Sequence, residues 1–114
     1  MENIGREDET QEFKESTAEM NEAMEAICAM LNNSGRALVF FGVRDDGDVI
    51  GQMIGKNTLK DISKSVRESI EPPVISKIKV LSTSDGKEYI SVETQGTARP
   101  YSVKGNVLVR SGGE

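Results

Sequence analysis

Between Ala37 and Val43 the chain reads Ala-Leu-Val-Phe-Phe-Gly-Val, with no charged or strongly polar side chain. A run this short, rich in β-branched and aromatic residues, predicts a strand buried on both faces rather than a helix. Asp46-Gly47 follows, and it is a strong hairpin signal because a type I′ turn needs positive φ at its central residues. Asp48, Val49 and Ile50 then return. Residues 37–43 and 48–51 are therefore expected to pair as adjacent antiparallel strands. Leu38 and Phe40 should face one side, Val39 and Phe41 the other, with both sides covered.

The flanking pattern supplies the cover. Residues 1–10 are polar and glutamate-rich, and their start is expected to fray. Residues 11–15 read as a short strand that buries Phe13 and turns Glu12 and Lys14 to the opposite face. From Ser16 to Asn33 the period becomes helical: Met20, Met24, Ile27 and Leu31 form a stripe widened by Ala23 and Met30. Ser16 and Glu19 have capping-box spacing, and Gly35 suits a left-handed cap. A second stripe, Leu59, Ile62, Val66 and Ile70, predicts a helix over 57–71, stopped by Pro72-Pro73. Residues 74–82 and 88–94 alternate as strands around the turn Ser84-Asp85-Gly86-Lys87. Residues 96–105 read as a loop and 107–110 as a last short strand. The order β-α-β-β-α-β-β, plus that short strand, predicts an α+β domain with a mixed sheet and two helices.

The length, 114 residues, allows one domain with one real core. The closing Ser111-Gly112-Gly113-Glu114 suits a domain, 1–114, cut from a longer chain. A single cysteine excludes an internal disulfide and a cysteine-rich zinc site, and histidine is absent. Cys28 lies among apolar residues and reads as a small core side chain. The methionines likewise read as core filler. No stretch approaches a membrane span and the acidic N-terminus is unlike a signal peptide, so a cytoplasmic protein is expected.

The net charge of −5 is unevenly spread. Residues 1–30 carry nine acids against two bases, whereas residues 31–114 carry ten acids against twelve bases. An acidic front end thus precedes a mildly basic body, which permits a local nucleic-acid face. Lys60, Lys64 and Arg67 share one face of the second predicted helix. With Arg99, Lys104 and Arg110 they are the candidates for phosphate contact. The ordinary alternative is a solvated face balanced by Asp61 and Glu68. Only Tyr89 and Tyr101 follow the hairpin as aromatic platforms, so tight reading of single-strand bases is not expected. Gly55-Lys56-Asn57-Thr58 invites comparison with a phosphate-binding loop. Gly51 is too close to Gly55 for that motif, and Asn57 stands where a magnesium-binding Ser or Thr belongs.

Four segments together resemble the Schlafen-type AlbA domain, also called a divergent AAA domain. Glu7 followed by Glu12-Phe13-Lys14 is similar to the family's opening E-x-x-x-x-E-F-K. Cys28-Ala29-Met30-Leu31-Asn32 with Gly35 resembles its helix end. Phe41-Gly42-Val43-Arg44-Asp45-Asp46-Gly47 with Ile50-Gly51 resembles its signature hairpin. Arg99-Pro100-Tyr101 and Val109-Arg110-Ser111-Gly112 resemble its closing segment. One position departs: Arg36 stands where the family usually has a second glycine.

The resemblance implies a module of bacterial and archaeal transcriptional regulators or helicase-related proteins, placed ahead of further C-terminal domains. It points to nucleic acid, DNA or RNA, as partner. In some vertebrate members the domain is an endoribonuclease with three acidic residues, which fall here on Glu7, Glu12 and Asp45. Those enzymes combine two lobes, so this chain would need a homodimer. Such carboxylates are hard oxygen ligands suited to Mg²⁺ or Mn²⁺. Each also has an ordinary use: Glu7 as a surface acid, Glu12 as a strand-face partner of a lysine, Asp45 in turn chemistry. Glu7 and Glu12 are an odd number of residues apart, so a loop must intervene to bring them together. A nucleic-acid-binding module is the leading expectation. A metal-dependent nuclease using Glu7, Glu12 and Asp45 is the alternative, and ATP binding ranks third.

Overall fold

A computed structural model describes residues 1–110; the expectation for Ser111–Glu114 lies outside the described residues. The run at 36–41 forms the inner strand it predicts. Strand β1 (Gln11–Lys14) lies parallel to β2 (Arg36–Phe41). β2 is antiparallel to β5 (Glu88–Gln95), and β5 to β4 (Ser76–Ser82), giving the order β1-β2-β5-β4. Helix α1 (Met20–Ser34) and helix α2 (Thr58–Ser69) pack on one face of this sheet. The α+β class and the main order of elements are as expected.

The helix-facing layer is set by alternation. Val39 and Phe41 pair with Val92 and Ile90 and meet Met24, Ile27, Leu31, Ile62 and Val66. Leu38 and Phe40 point to the opposite face and are half-buried. A smaller cluster covers part of that face: Phe13, Val43, Val49 and Tyr89 are buried with Ile4, Phe40 and Leu81 against them. Phe13 and Phe40 meet edge-on, with ring centroids 6.0 Å apart.

Helix α1 begins as the sequence indicates. Ser16 Oγ accepts from the Ala18 N–H, while Glu19 accepts from the Glu15 N–H, one residue earlier than in a strict capping box. A short 3₁₀ turn, Thr17–Glu19, precedes the α-helix. Gly35 ends it in left-handed conformation, its N–H bonded to the Leu31 carbonyl.

Several expectations need correction. Residues 48–51 do not pair along 37–41; they meet only the end of the run, through the antiparallel bridge Val43 with Val49, the Ile50 and Gly51 N–H groups on the Gly42 carbonyl, and the Arg44 N–H on the Asp48 carbonyl. The reason is Gly42, at φ +98, which turns the chain off the sheet just after Phe41. A Cβ there would also stand 3.0 Å from Gln52 and Gly51 atoms. The neighbours of β2 are instead β1 and β5. The tip is not a type I′ turn, since only Gly47 has positive φ. Its N–H donates to the Arg44 carbonyl and the Asp46 carboxylate accepts from the Asp48 N–H, which closes a turn over Arg44–Gly47. Residues 2–4 are not frayed. They dock on this tip through Ile4 N–H to Gly47 O, Val49 N–H to Glu2 O, and the Asn3 amide on Asp46 and Asp48.

The closing segment also differs. Residues 70–71 leave helix α2 as β3 (Ile70–Glu71), which pairs with β6 (Ser102–Val103). β6 turns through Lys104-Gly105 to β7 (Asn106–Val107), so the expected loop holds a strand and the expected strand at 107–110 is shorter. These two-residue strands have little holding power of their own. The segment is held by Asn32 instead. Its side-chain amide donates to the carbonyls of Tyr101 and Leu108 at 2.9 and 2.7 Å, and its oxygen accepts from the Tyr101 N–H at 2.6 Å. Asn32→Ala should leave three partly buried backbone groups unpaired and destabilise the domain by about 2–4 kcal/mol, read as a lower urea midpoint. An unchanged midpoint would show that the segment is held elsewhere.

Candidate nucleic-acid interface and carboxylate cluster

Leu59, Ile62 and Val66 face the core from α2, so helical geometry turns Lys60, Lys64 and Arg67 outward, and all three are exposed. Among the described residues the two ion pairs both fall on Glu12, so these three cations have no carboxylate within pairing distance. Lys104 is exposed in the β6–β7 turn. Arg99 is exposed but donates to the Asn32 carbonyl at 3.0 Å. Arg110 does not join the basic face: it is 4% exposed. Its guanidinium meets Glu12 Oε1 at 2.7 Å and donates to the carbonyls of Asp8 and Gln11. Burying an arginine requires a paired anion, and Glu12 supplies it. Arg110 is therefore a structural strut.

The acidic candidates sit around the β1 edge. A turn over Asp8–Gln11, with Thr10 N–H on the Asp8 carboxylate, intervenes between Glu7 and Glu12 as the spacing requires. Glu7 Oε2 then accepts the Phe13 N–H at 2.9 Å. Burial pushes the Glu7 carboxyl above its ordinary range; the Phe13 hydrogen bond opposes this, and the charges of Glu12 and Asp45 add to it. Glu7 thus lies within the field of the other two acids. Glu12, however, is held between Lys14 at 3.0 Å and Arg110. Burial alone would lower the Lys14 ammonium, but the hydrogen bond and charge of Glu12 outweigh it and its pKa rises. Asp45 is exposed in the Arg44–Gly47 turn. Among the described residues no three acids, cysteines or histidines converge closely enough for one ion. With Glu12 committed to two cations, the carboxylates as arranged do not fit a divalent metal.

The loop at 55–58 closes on itself. Thr58 Oγ1 accepts the Gly55 N–H at 2.8 Å, so that oxygen is turned back into the loop rather than toward a phosphate. Cys28 is buried with its thiol near the Tyr101 carbonyl, and burial raises its pKa. It is a core residue as expected.

Reading by helix faces missed a second group of cations. Lys77 and Lys79 alternate along β4 and share the sheet face opposite the helices with Arg36. Period-two spacing in residues 74–82 was the available signal.

The fold and these surfaces define a small α+β domain with exposed, unpaired basic groups on α2 and an acidic, internally neutralised edge at β1. The chain belongs to the Schlafen AlbA_2 family, whose model matches residues 7–114. That family is consistent with a nucleic-acid-related domain. No curated protein matches the sequence. No helix among the described residues is long and apolar enough to cross a membrane.

The position of Glu7 has a consequence for stability. Its folded pKa is raised, so the folded state binds the proton more tightly than the unfolded chain. Stability is then lost as pH rises from the ordinary carboxylate range through the raised value. Glu7→Gln keeps an oxygen for the Phe13 N–H and removes the charge. It should be more stable than the parent at neutral pH and equal to it below about pH 3.5, where the carboxyl is protonated in both states. Urea midpoints at the two pH values check this; a difference that does not vary with pH would contradict it.

Proposed function

We propose that this domain is a nucleic-acid-binding module. The observation that carries the reading is the α2 face, where Lys60, Lys64 and Arg67 are exposed and unpaired among the described residues, in a chain of this family. Lys104 is a further exposed cation, across a groove that Glu68 and Glu71 also line. In this reading the domain delivers an attached C-terminal portion of a longer regulator to DNA or RNA, and two copies would widen the surface. The contacts are phosphate contacts, so binding should fall steeply as salt displaces the released counterions. Replacing Lys60, Lys64 and Arg67 together by glutamate should abolish binding to labelled DNA and RNA, measured by anisotropy at low salt. Binding that survives both this change and high salt would refute the proposal.

A metal-dependent nuclease is the second reading, supported by the charges of Glu12 and Asp45, which add to the rise of the Glu7 pKa. It requires Glu12 to leave Arg110. Mn²⁺ should then broaden the NMR signals of Glu12 and Asp45 before any others, and uniform or absent broadening would eliminate it.

A further inference from the structure

The face of the sheet opposite the helices is covered at one end and bare at the other. Ile4, Val43 and Val49 lie over Phe13, Phe40, Tyr89 and Leu81. Beyond that cover, cross-strand neighbours share the surface in rows. Lys77 lies opposite Glu93, which lies opposite Leu38; Arg36 lies opposite Gln95. Arg36, Lys77, Glu93 and Gln95 are exposed, and Leu38 is half-buried.

Three grooves run into one another here. The first, about 360 Å³, lies between Arg67 of α2 and residues 73–76. The second, about 350 Å³, shares Ile75 and Ser76 with it and continues to Lys77, Glu93 and Gln95. The third, about 140 Å³, shares Glu93 and ends at Arg36, Leu38 and Thr10. The path leads from the helix side, around the start of β4, onto the bare end of the sheet. Ile75 stands at its bend, 91% exposed. A single exposed apolar side chain is ordinary on a protein surface; this one borders both of the first two grooves and offers them an apolar wall.

We propose that this path is a single-strand nucleic-acid subsite continuing the α2 surface. The inference rests on the nucleic-acid reading above and names the form of ligand it takes. Phosphates follow Arg67, Lys77 and Arg36, none of which has a carboxylate within pairing distance among the described residues. Glu93, between Lys77 and Arg36, repels a phosphate and accepts hydrogen bonds from a base amino group. Bases therefore turn toward Glu93, Leu38 and Ile75 while the backbone follows the cations. The path bends from the helix side around the start of β4 onto the sheet within a few residues, which a flexible single strand can follow and a stiff duplex cannot. Arg36, the residue that departs from the family's usual glycine, supplies the far end of the track.

The test uses a labelled single strand of about 12 nucleotides, as DNA and as RNA, and the matching duplex. Arg36→Glu with Lys77→Glu should weaken single-strand binding at least tenfold at low salt. It should also lower the salt slope by about 0.7 for each phosphate no longer neutralised. Lys87→Glu, at the opposite end of the β4–β5 hairpin, should change neither. A photo-crosslinker at position 75 should capture the single strand and not the duplex. Circular dichroism confirms that the variants are folded. If the parent binds single strands and the double variant binds equally well with the same slope, the subsite is refuted while the α2 reading stands. Polyglutamate competing as well as an oligonucleotide of equal charge would also refute it, in favour of an acidic protein partner. A parent that binds no nucleic acid at low salt refutes both.

Discussion

One side-chain amide, that of Asn32, holds the back of this domain to its front. It saturates three backbone groups on a segment roughly seventy residues away in sequence, at Tyr101 and Leu108. That segment has only two-residue strands to organise it. Without the clasp, the Tyr101 ring would lose its seat. Tyr101 is fully buried, and its hydroxyl accepts the Ala98 N–H. Gly96 is tied to the same place, because any side chain on it would collide with the Tyr101 hydroxyl. Asn32 sits in the last turn of α1, where the helix leaves its own carbonyls unpaired, and its carbonyl takes Arg99. A helix end thus becomes an anchorage for a segment whose own sheet, β3-β6-β7, is built of two-residue strands.

The clasp also explains where Arg110 ends. Holding Leu108 against α1 brings the next residues over β1, and Asn33 donates to the Arg110 carbonyl. The guanidinium then enters the acidic edge and pairs with Glu12. The acidic first part of the chain is in this way partly neutralised by a residue from the basic last part. That pairing decides the character of the two surfaces. The cations left over, on α2 and on the bare end of the sheet, have no internal partner among the described residues, whereas Glu12 has two.

Much of the fold was legible because burial imposes a period. The stripes through Met24, Ile27 and Leu31 and through Ile62 and Val66 mark both helices, and alternation places Val39 and Phe41 against them. What was not legible depended on single residues acting at a distance. Gly42 looks like one more small residue in an apolar run, yet its positive φ separates β2 from the returning arm. The Asp46-Gly47 pair announces a turn but not its type, because the Asp46 carboxylate found the Asp48 N–H and a different closure. Arg110 looks like any surface cation in sequence; its burial follows from a clasp whose partners no local pattern reveals. The carboxylates were picked out by resemblance. Glu7 lies in the field of Glu12 and Asp45, but the packing around β1 also gives Glu12 two counterions, Lys14 and Arg110.

This arrangement argues for the order of the functional readings. A carboxylate that already touches two cations must give up both before it can bind a metal, and one of them is buried, where an unpaired charge costs several kcal/mol. An exposed lysine or arginine with no partner gives up little except water when it meets a phosphate, and counterion release drives the contact. On these grounds the arrangement favours the proposed phosphate contacts over the metal reading. A change that drew Arg110 out of the β1 edge would shift that balance, because it would free Glu12 beside Glu7 and Asp45 and add a cation to the surface.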